Sequence, residues 1–394
     1  MNEIILKLKD VCEINGGYAF KSLIFKDDGV PLIRIGDIFD NKVNITNTTV
    51  YVDVNIKDYK KFIIDKGDIL IALSGATTGK FGIYNYNEKS LLNQRVAKIK
   101  PKNNMINNKY LYHYINKLKN NIYNNALGCA QPNISPSEIS EMSIYVPNIL
   151  IQEKIANVLD KAQELIDKRK AQIEALDELV KSQFIEMFGD PVLNTKGWRK
   201  RKFEEYIEFL TSGSRGWASY FSDNGEMFLT IKNVKNNGIQ TDNMQYVVAP
   251  NTQEAKRTKV REGDLLISIT ADLGRTGVVS KEIEEFGAYI NQHLSLVRLD
   301  KKRVNPLFIS YFLESEGGKI QFDSKNQVGV KSGLNFTAIK SLNILVPPIE
   351  EQNKFIEFIK QIDKLKFEMQ NSLKELEDNF NSLMQRAFKG ELFN

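Results

Sequence analysis

The sequence predicts an α+β protein: two tandem mixed α/β domains, each followed by a long helix, with the two helices pairing as an antiparallel coiled coil. Three observations lead there. Residue groups recur about two hundred positions apart, short β-type runs fill the first part of each repeat, and an apolar stripe at helical spacing fills the last part.

Paired motifs carry the repeat. Val146-Pro147-Asn148-Ile149 with Gln152 returns as Val346-Pro347-Pro348-Ile349 with Gln352, and Lys66-Gly67-Asp68-Ile69 returns as Glu262-Gly263-Asp264-Leu265. Asn93-Gln94 returns as Asn291-Gln292, and Asn133-Ile134-Ser135 as Asn335-Phe336-Thr337. The offset stays between 196 residues (Asp68 to Asp264) and 202 (Asn133 to Asn335), so one fold is duplicated with only small loop insertions. A length of 394 residues suits two domains, and 42% hydrophobic residues are enough for two cores.

In the first half, apolar runs at 31–35, 69–73 and 95–99 lie between Gly- and Asn-rich turns and predict strands. Residues 109–118, with Tyr110 and Tyr114 spaced by four, predict a helix. The second half repeats this with strands at 228–231, 265–269 and 294–299 and a helix at 306–313. The expected division is a domain at 1–148, a central helix at 149–189, a second domain at 190–348 and a C-terminal helix at 349–394. Each long helix opens just past a proline (Pro147, Pro348); the first stops at Gly189-Asp190-Pro191 and the second near Gly390.

The central stripe runs through Ile155, Val158, Leu159, Ala162, Leu165, Ile166, Ile173, Leu176, Val180, Phe184 and Phe188. The C-terminal one runs through Phe355, Ile359, Ile362, Leu365, Leu373, Leu376, Phe380 and Met384. Steps of three and four alternate except around Arg169, whose counterpart is Met369. A narrow stripe held over about five heptads is the pattern of a coiled-coil seam. About 36 helical residues span roughly 54 Å, too long for a helix to bury its stripe against its own small domain, so the two are expected to pack on each other. Antiparallel pairing would put the domains at opposite ends of a rod. A pair of domains so held suits two short DNA half-sites separated by an unread gap, since a turn of B-DNA is ~34 Å.

Composition excludes several classes. No apolar run reaches membrane-span length, and Met1-Asn2-Glu3 does not begin a signal sequence, so a cytoplasmic protein is expected. Only Cys12 and Cys129 are present, too few for a disulfide framework or a zinc cluster. The net charge of +5 is mild, but Lys57, Lys60 and Lys61 cluster, as do Lys196, Arg199, Lys200, Arg201 and Lys202. Such clusters suit phosphates; a solvated face is the alternative for either.

Catalytic motifs are missing. No Asn/Asp-Pro-Pro-Tyr/Phe sequence for amino methylation occurs, and Val346-Pro347-Pro348-Ile349 lacks both amide and aromatic. Gly75-Ala76-Thr77-Thr78-Gly79-Lys80-Phe81 is one residue short of a phosphate loop and has Phe81 where a hydroxyl should meet magnesium. Glu254-Ala255-Lys256 has nuclease-like spacing without a preceding Pro-Asp. His113 and His293 have no companion ligands, so no metal site is expected and His113 is read as a satisfied structural residue.

Two variable domains, each followed by a similar long helix, resemble the specificity subunit of type I restriction-modification enzymes. The segments carrying the resemblance are NISPSEI with IYVPNILIQEKIANVLD, LNFTAIKSLNILVPPIEEQNKF, LVKSQFIEMFGDP followed by KGW, and KGDILIALSGATTGKFG. It covers essentially the whole chain, twice. The resemblance implies two target recognition domains, at 1–148 and 190–348, that bind a bipartite, asymmetric double-stranded DNA target. It also implies docking of two methyltransferase subunits and, in full complexes, two restriction subunits. The chain would hold no cofactor itself; S-adenosylmethionine would belong to the methyltransferase partner, which flips and methylates adenine, and ATP and magnesium to any restriction partner.

Loops that align between the halves yet differ are the expected readers, because two half-sites need different ones. In the first half these give Tyr18, Lys21, Thr77, Thr78, Lys80, Arg95 and Gln131. In the second they give Arg215, Trp217, Thr270, Arg275, Thr276, His293, Lys331 and Ser332, with Arg215, Arg275 and Lys331 leading. Arg can fork onto guanine and Thr can meet a base edge or methyl group, whereas Lys and Ser equally suit phosphates. Packing is the alternative for Tyr18 and Trp217, and Asn93 and Asn291, being shared, are expected to be structural. Competing functions are a duplicated coiled-coil scaffold for proteins, without DNA specificity, and a stand-alone nuclease that cleaves with metal alone.

Overall fold

A computed structural model describes residues 4–102, 104–126, 132–213, 215–326 and 333–393. Two compact units emerge: 1–171 with 370–394, and 172–369.

In the first unit, Ile4–Lys7 pairs antiparallel with Ser143–Val146, so the first and last strands of the domain are zipped together, Ile4 opposite Val146. A mixed sheet runs in the order Cys12–Gly16, Val96–Pro101, Ile69–Ala72, Phe81–Ile83, Lys42–Val43, Ile38–Phe39. A second sheet is ordered Phe25–Lys26, Val50–Val52, Val30–Ile33, Ser90–Leu92, Ile63–Ile64.

The second unit repeats the plan. Lys200–Lys202 pairs with Asn343–Leu345. One sheet is Ile207–Ser212, Leu294–Leu299, Leu265–Ser268, Thr276–Val278, and another is Phe221–Ser222, Gln245–Val247, Glu226–Leu229, Ala288–Ile290. Both halves also hold a tight hairpin. Asp40 and Asn41 have φ of 53° and 56°, Asn236 and Asn237 of 53° and 60°, the two left-handed residues that a hairpin twisting with its strands requires.

The repeated motifs have structural causes. Strand Ile69–Ala72 is buried throughout, as is Leu265–Ser268, and each is launched by the Gly-Asp turn. Asp68 Oδ2 accepts from the Asp65 N–H at 2.8 Å and Asp264 Oδ2 from the Arg261 N–H at 2.8 Å. Asp264 then receives two bonds from Arg298, at 2.8 and 2.7 Å, where Asp68 faces Lys98 at 3.6 Å. Gly17 and Gly213 permit a chain crossing: a Cβ would sit 2.1 Å from the Asn93 carbonyl oxygen in one half and 2.0 Å from that of Asn291 in the other.

Gln152 and Gln352 explain the Pro-led tails. Gln152 is fully buried; its Nε2 donates to the carbonyls of Met105 (2.9 Å) and Pro147 (2.8 Å), and its Oε1 accepts from the Asn107 N–H at 2.8 Å. Gln352, also fully buried, donates to the Pro347 carbonyl and accepts from the Asn305 N–H, both at 2.8 Å. Each glutamine pins the start of a long helix to the start of its domain's own helix.

Those domain helices differ from expectation. The first runs Asn108–Ala126, well beyond residue 118, because Ile122 and Ala126 continue the buried face between poorly helical asparagines. The second, Pro306–Glu314, is followed by Glu316–Lys325, hidden in the sequence by Gly317-Gly318. Those glycines mark close packing: a Cβ on Gly318 would lie 2.0 Å from the Leu313 carbonyl oxygen.

The long helices span Ile149–Phe188 and Ile349–Ala387 and pack together, antiparallel as expected. Within the first unit Lys170 pairs with Glu377 at 2.9 Å. Within the second Lys366 pairs with Asp177 at 2.6 Å and the rings of Phe184 and Phe355 meet at 5.5 Å. Gly189, with φ of 77°, stops the first helix by donating its N–H to Ile185 at 2.7 Å.

Ile155, Leu159, Leu176, Val180, Phe184, Phe355, Ile359, Ile362 and Phe380 are buried on the seam, while Ala162, Ile173, Leu373, Leu376 and Met384 are half-buried. Leu165 and Leu365 are not seam residues: they are 54% and 39% exposed, and Ile166, at 3%, takes the buried place beside Leu165. Steps of four and three from Ile155 through Leu159 and Ala162 fall on Ile166, and from Phe355 through Ile359 and Ile362 on the half-buried Lys366, so Leu165 and Leu365 lie one position off the heptad.

Candidate nucleic-acid interface

In the first half, Tyr18 is 43% exposed on an aromatic base, its ring 5.0 Å from Phe20, 5.4 Å from Tyr59 and 5.3 Å from Phe62. Lys57, Lys60 and Lys61 are exposed on the short segment Ile56–Phe62 that supplies Tyr59 and Phe62. Beside it opens a cleft of about 610 Å³ lined by Phe20, Ser22, Arg34, Gln94 and Arg95. Arg95 is exposed and has no ion pair among the described residues. Arg34, which the sequence reading missed, donates from Nη2 to the Thr48 carbonyl at 3.0 Å. Its counterpart is Thr230, so the mismatch rule applied to the loops also marks this position.

Lys21 and Lys80 are exposed, and Thr77 is half-buried. Thr78 is a correction. It is 4% exposed, and its hydroxyl donates to the carbonyls of Gly75 (2.7 Å) and Pro132 (3.1 Å), locking the 74–80 loop rather than facing outward. Gln131 lies outside the described residues.

In the second half, Arg215 is exposed. Trp217 is a correction, for it is 4% exposed and stacked on Phe228 with centroids 5.6 Å apart. Thr276 is another: fully buried, its hydroxyl is 2.7 Å from that of Ser310 and its N–H donates to Glu314 Oε1 at 2.9 Å. Thr270 and His293 come together, Oγ1 to Nδ1 at 2.8 Å, with Gln292 Nε2 3.1 Å from His293 Nε2. Arg275 sits elsewhere, ion-paired with Asp272 at 3.0 Å in a cleft of about 350 Å³ that it lines with Lys235, Lys319 and Glu314. Lys331 and Ser332 lie outside the described residues.

Backbone geometry around Arg95 and His293 is the same. Leu73 N–H donates to the Arg95 carbonyl at 2.9 Å, and Ile269 N–H to the His293 carbonyl at 3.0 Å. The N–H groups of Arg95 and His293 point to Asn93 Oδ1 (3.4 Å) and Asn291 Oδ1 (3.1 Å). Ile134 N–H meets the Leu73 carbonyl at 2.9 Å, and Leu334 N–H that of Ile269 at 3.0 Å, so Ile134 matches Leu334 and the helix cap Ser135 matches Asn335, two residues away from the pairing of Asn133 with Asn335 expected from the motif. One frame therefore carries different side chains in the two halves. Asn93 and Asn291 hold that frame.

His113 differs from its expected role. It is buried, and its Nε2 lies 2.8 Å from Asp160 Oδ1, but its Nδ1 is buried with no partner. Among the described residues, no three His, Cys, Asp or Glu side chains group as a metal site.

The family model for the type I restriction modification DNA specificity domain matches this chain twice, over residues 4–175 and 195–378. The chain belongs to the type I restriction-modification specificity family. Among curated relatives, the type I restriction enzyme EcoBI specificity subunit of Escherichia coli is 22% identical over 98% of this chain and 85% of its own length. The MjaVIII specificity subunit of Methanocaldococcus jannaschii is 22% identical over 96% of this chain and 87% of its own. Among solved structures, the type I specificity subunit from M. genitalium shares the fold with a TM-score of 0.53 at 16% identity, over 98% of this chain and 96% of that one. A chain from a type I restriction-modification assembly gives 0.61 at 16% identity, over 99% and 98%. The specificity-subunit match is thus a whole-chain one, as both repeats required.

Proposed function

We propose that this chain binds a bipartite, asymmetric double-stranded DNA target, one half-site per recognition domain (1–148 and 190–348), and docks two methyltransferase subunits, with restriction subunits where a system has them. The observation that carries the reading is the duplicated frame with unlike side chains: one scaffold, used twice, bearing Arg34 and Arg95 in one half and Thr230 and His293 in the other. Identical readers would serve a symmetric target; unlike readers serve an asymmetric one.

Affinity and specificity divide between different groups. Lys57, Lys60 and Lys61 in the first half and Lys235, Arg275 and Lys319 in the second supply charge for phosphates, which set position without reading sequence. Arg95, Gln94 and the Thr270–His293 pair offer hydrogen-bonding groups for base edges. The long helices fix the spacing of the two readings, and their exposed faces meet the methyltransferase.

The test is footprinting by the chain together with its methyltransferase partner on random-sequence duplex DNA. Two protected short elements separated by an unread gap, with an affinity falling steeply as salt rises, are expected. Protection of no sequence, or salt-insensitive binding, would leave a protein scaffold as the better reading.

A further inference from the structure

We infer that positions 95 and 293 are one interchangeable reading position, and that Arg95 makes the first half-site require a guanine which the second half-site does not. The inference rests on the DNA-reading function proposed above and assigns the chemistry at one position within it.

The backbone carries the argument. The same three contacts fix both positions: a carbonyl held by the residue that follows the strand before the variable loop, an N–H turned toward the shared asparagine, and that residue's own carbonyl held in turn by Ile134 or Leu334. The shared asparagines are anchored alike, Asn93 N–H to Ile33 at 3.1 Å and Asn291 N–H to Leu229 at 2.9 Å. Their carbonyls are pressed against Gly17 and Gly213, where no side chain fits. Residues 95 and 293 therefore leave the scaffold from the same point in the same local frame.

What leaves it differs. Arg95 is exposed at the rim of the cleft it shares with Gln94 and Arg34, and no carboxylate of the described residues pairs with it. A free guanidinium with parallel N–H donors matches the O6 and N7 acceptors of guanine in the major groove. Arg34 donates to Thr48, Arg257 to Ser212 at 2.7 Å, and Arg275 pairs with Asp272, whereas Arg215, exposed like Arg95, belongs to the second half. His293 is shorter, and both its ring nitrogens are occupied by Thr270 and Gln292. It cannot offer the two-donor fork, so the second half-site is read differently at this position.

The experiment uses the full chain with its methyltransferase partner and reads methylated adenines across random-sequence DNA, for wild type, Arg95→Ala and His293→Arg. Wild type should require guanine at one position of the first half-site. Arg95→Ala should reduce that preference by about five- to hundredfold while the second half-site stays unchanged. His293→Arg, a gain that misfolding cannot mimic, should add a guanine preference at one position of the second half-site. An Arg95→Ala chain that methylates the wild-type motif uniformly less makes Arg95 a phosphate contact and overturns the inference. Loss in the first variant without gain in the second overturns the equivalence of the two positions. A wild-type chain that yields no bipartite motif instead fails the function itself, so the two failures are distinguishable.

Discussion

Replacing Gln352 by leucine keeps the volume of a fully buried side chain and removes only its hydrogen bonds. The Asn305 N–H loses its acceptor and the Pro347 carbonyl its donor, both from 2.8 Å contacts. An orphaned buried N–H costs about 1–3 kcal/mol and a lost carbonyl bond about 0.5–1, so a destabilisation of about 2 kcal/mol is expected. Both tryptophans, Trp198 and Trp217, belong to the unit 172–369 that holds Gln352, so tryptophan fluorescence reports its unfolding. With a urea dependence of about 2 kcal/mol per molar, the midpoint should fall by ~1 M. Gln152→Leu, which breaks three such bonds, should cost more, seen by circular dichroism. A Gln352→Leu midpoint within ~0.2 M of wild type would refute the pinning role assigned to these glutamines.

Three other outcomes are expected. Burial lowers the His113 pKa from its ordinary 6.5, against the opposing pull of the Asp160 contact. The neutral ring's contribution is therefore complete above pH 6.5 and is lost as pH falls from there toward the lowered folded value. Melting temperature should drop more steeply below pH 6.5 in wild type than in His113→Gln, and parallel curves would exclude this cause. Arg275→Ala, which removes one of three cations from the cleft with Lys235 and Lys319, should weaken DNA binding across all sequences and flatten its salt dependence. A change confined to one base position would make Arg275 a reader after all. Inserting four helical residues into the central helix adds about 6 Å, under two base-pair steps, and should lengthen the recognised gap or abolish binding. Footprints with an unchanged gap would refute the spacing role proposed for the long helices.

The duplication, the order of elements and most of the helical seam were legible in the sequence because they rest on periodicity and shared motifs. Leu165 and Leu365 lie off the seam because the alternating steps of four and three fall on Ile166 and Lys366, one position further along, and an apolar side chain next to the register is easily taken for one in it. The hairpins at Asp40-Asn41 and Asn236-Asn237 went unseen, their strands being only two residues long. At the interface, unlike loops pointed to the right segments but not to side-chain direction. Thr78 and Thr276 face inward because their hydroxyls satisfy buried partners, and Trp217 because the second sheet needs a core. Arg34 was overlooked since it follows a strand rather than sitting in a Gly-rich loop. The pairing of Thr270 with His293 joins residues twenty-three apart and depends on tertiary structure alone.

The central claim is that one duplicated scaffold reads two different DNA half-sites. Sequencing the methylated adenines in DNA modified by this chain and its methyltransferase partner tests it directly. Two unlike half-sites around a gap of fixed length are predicted; a single uninterrupted site, or a perfectly palindromic one, would contradict it.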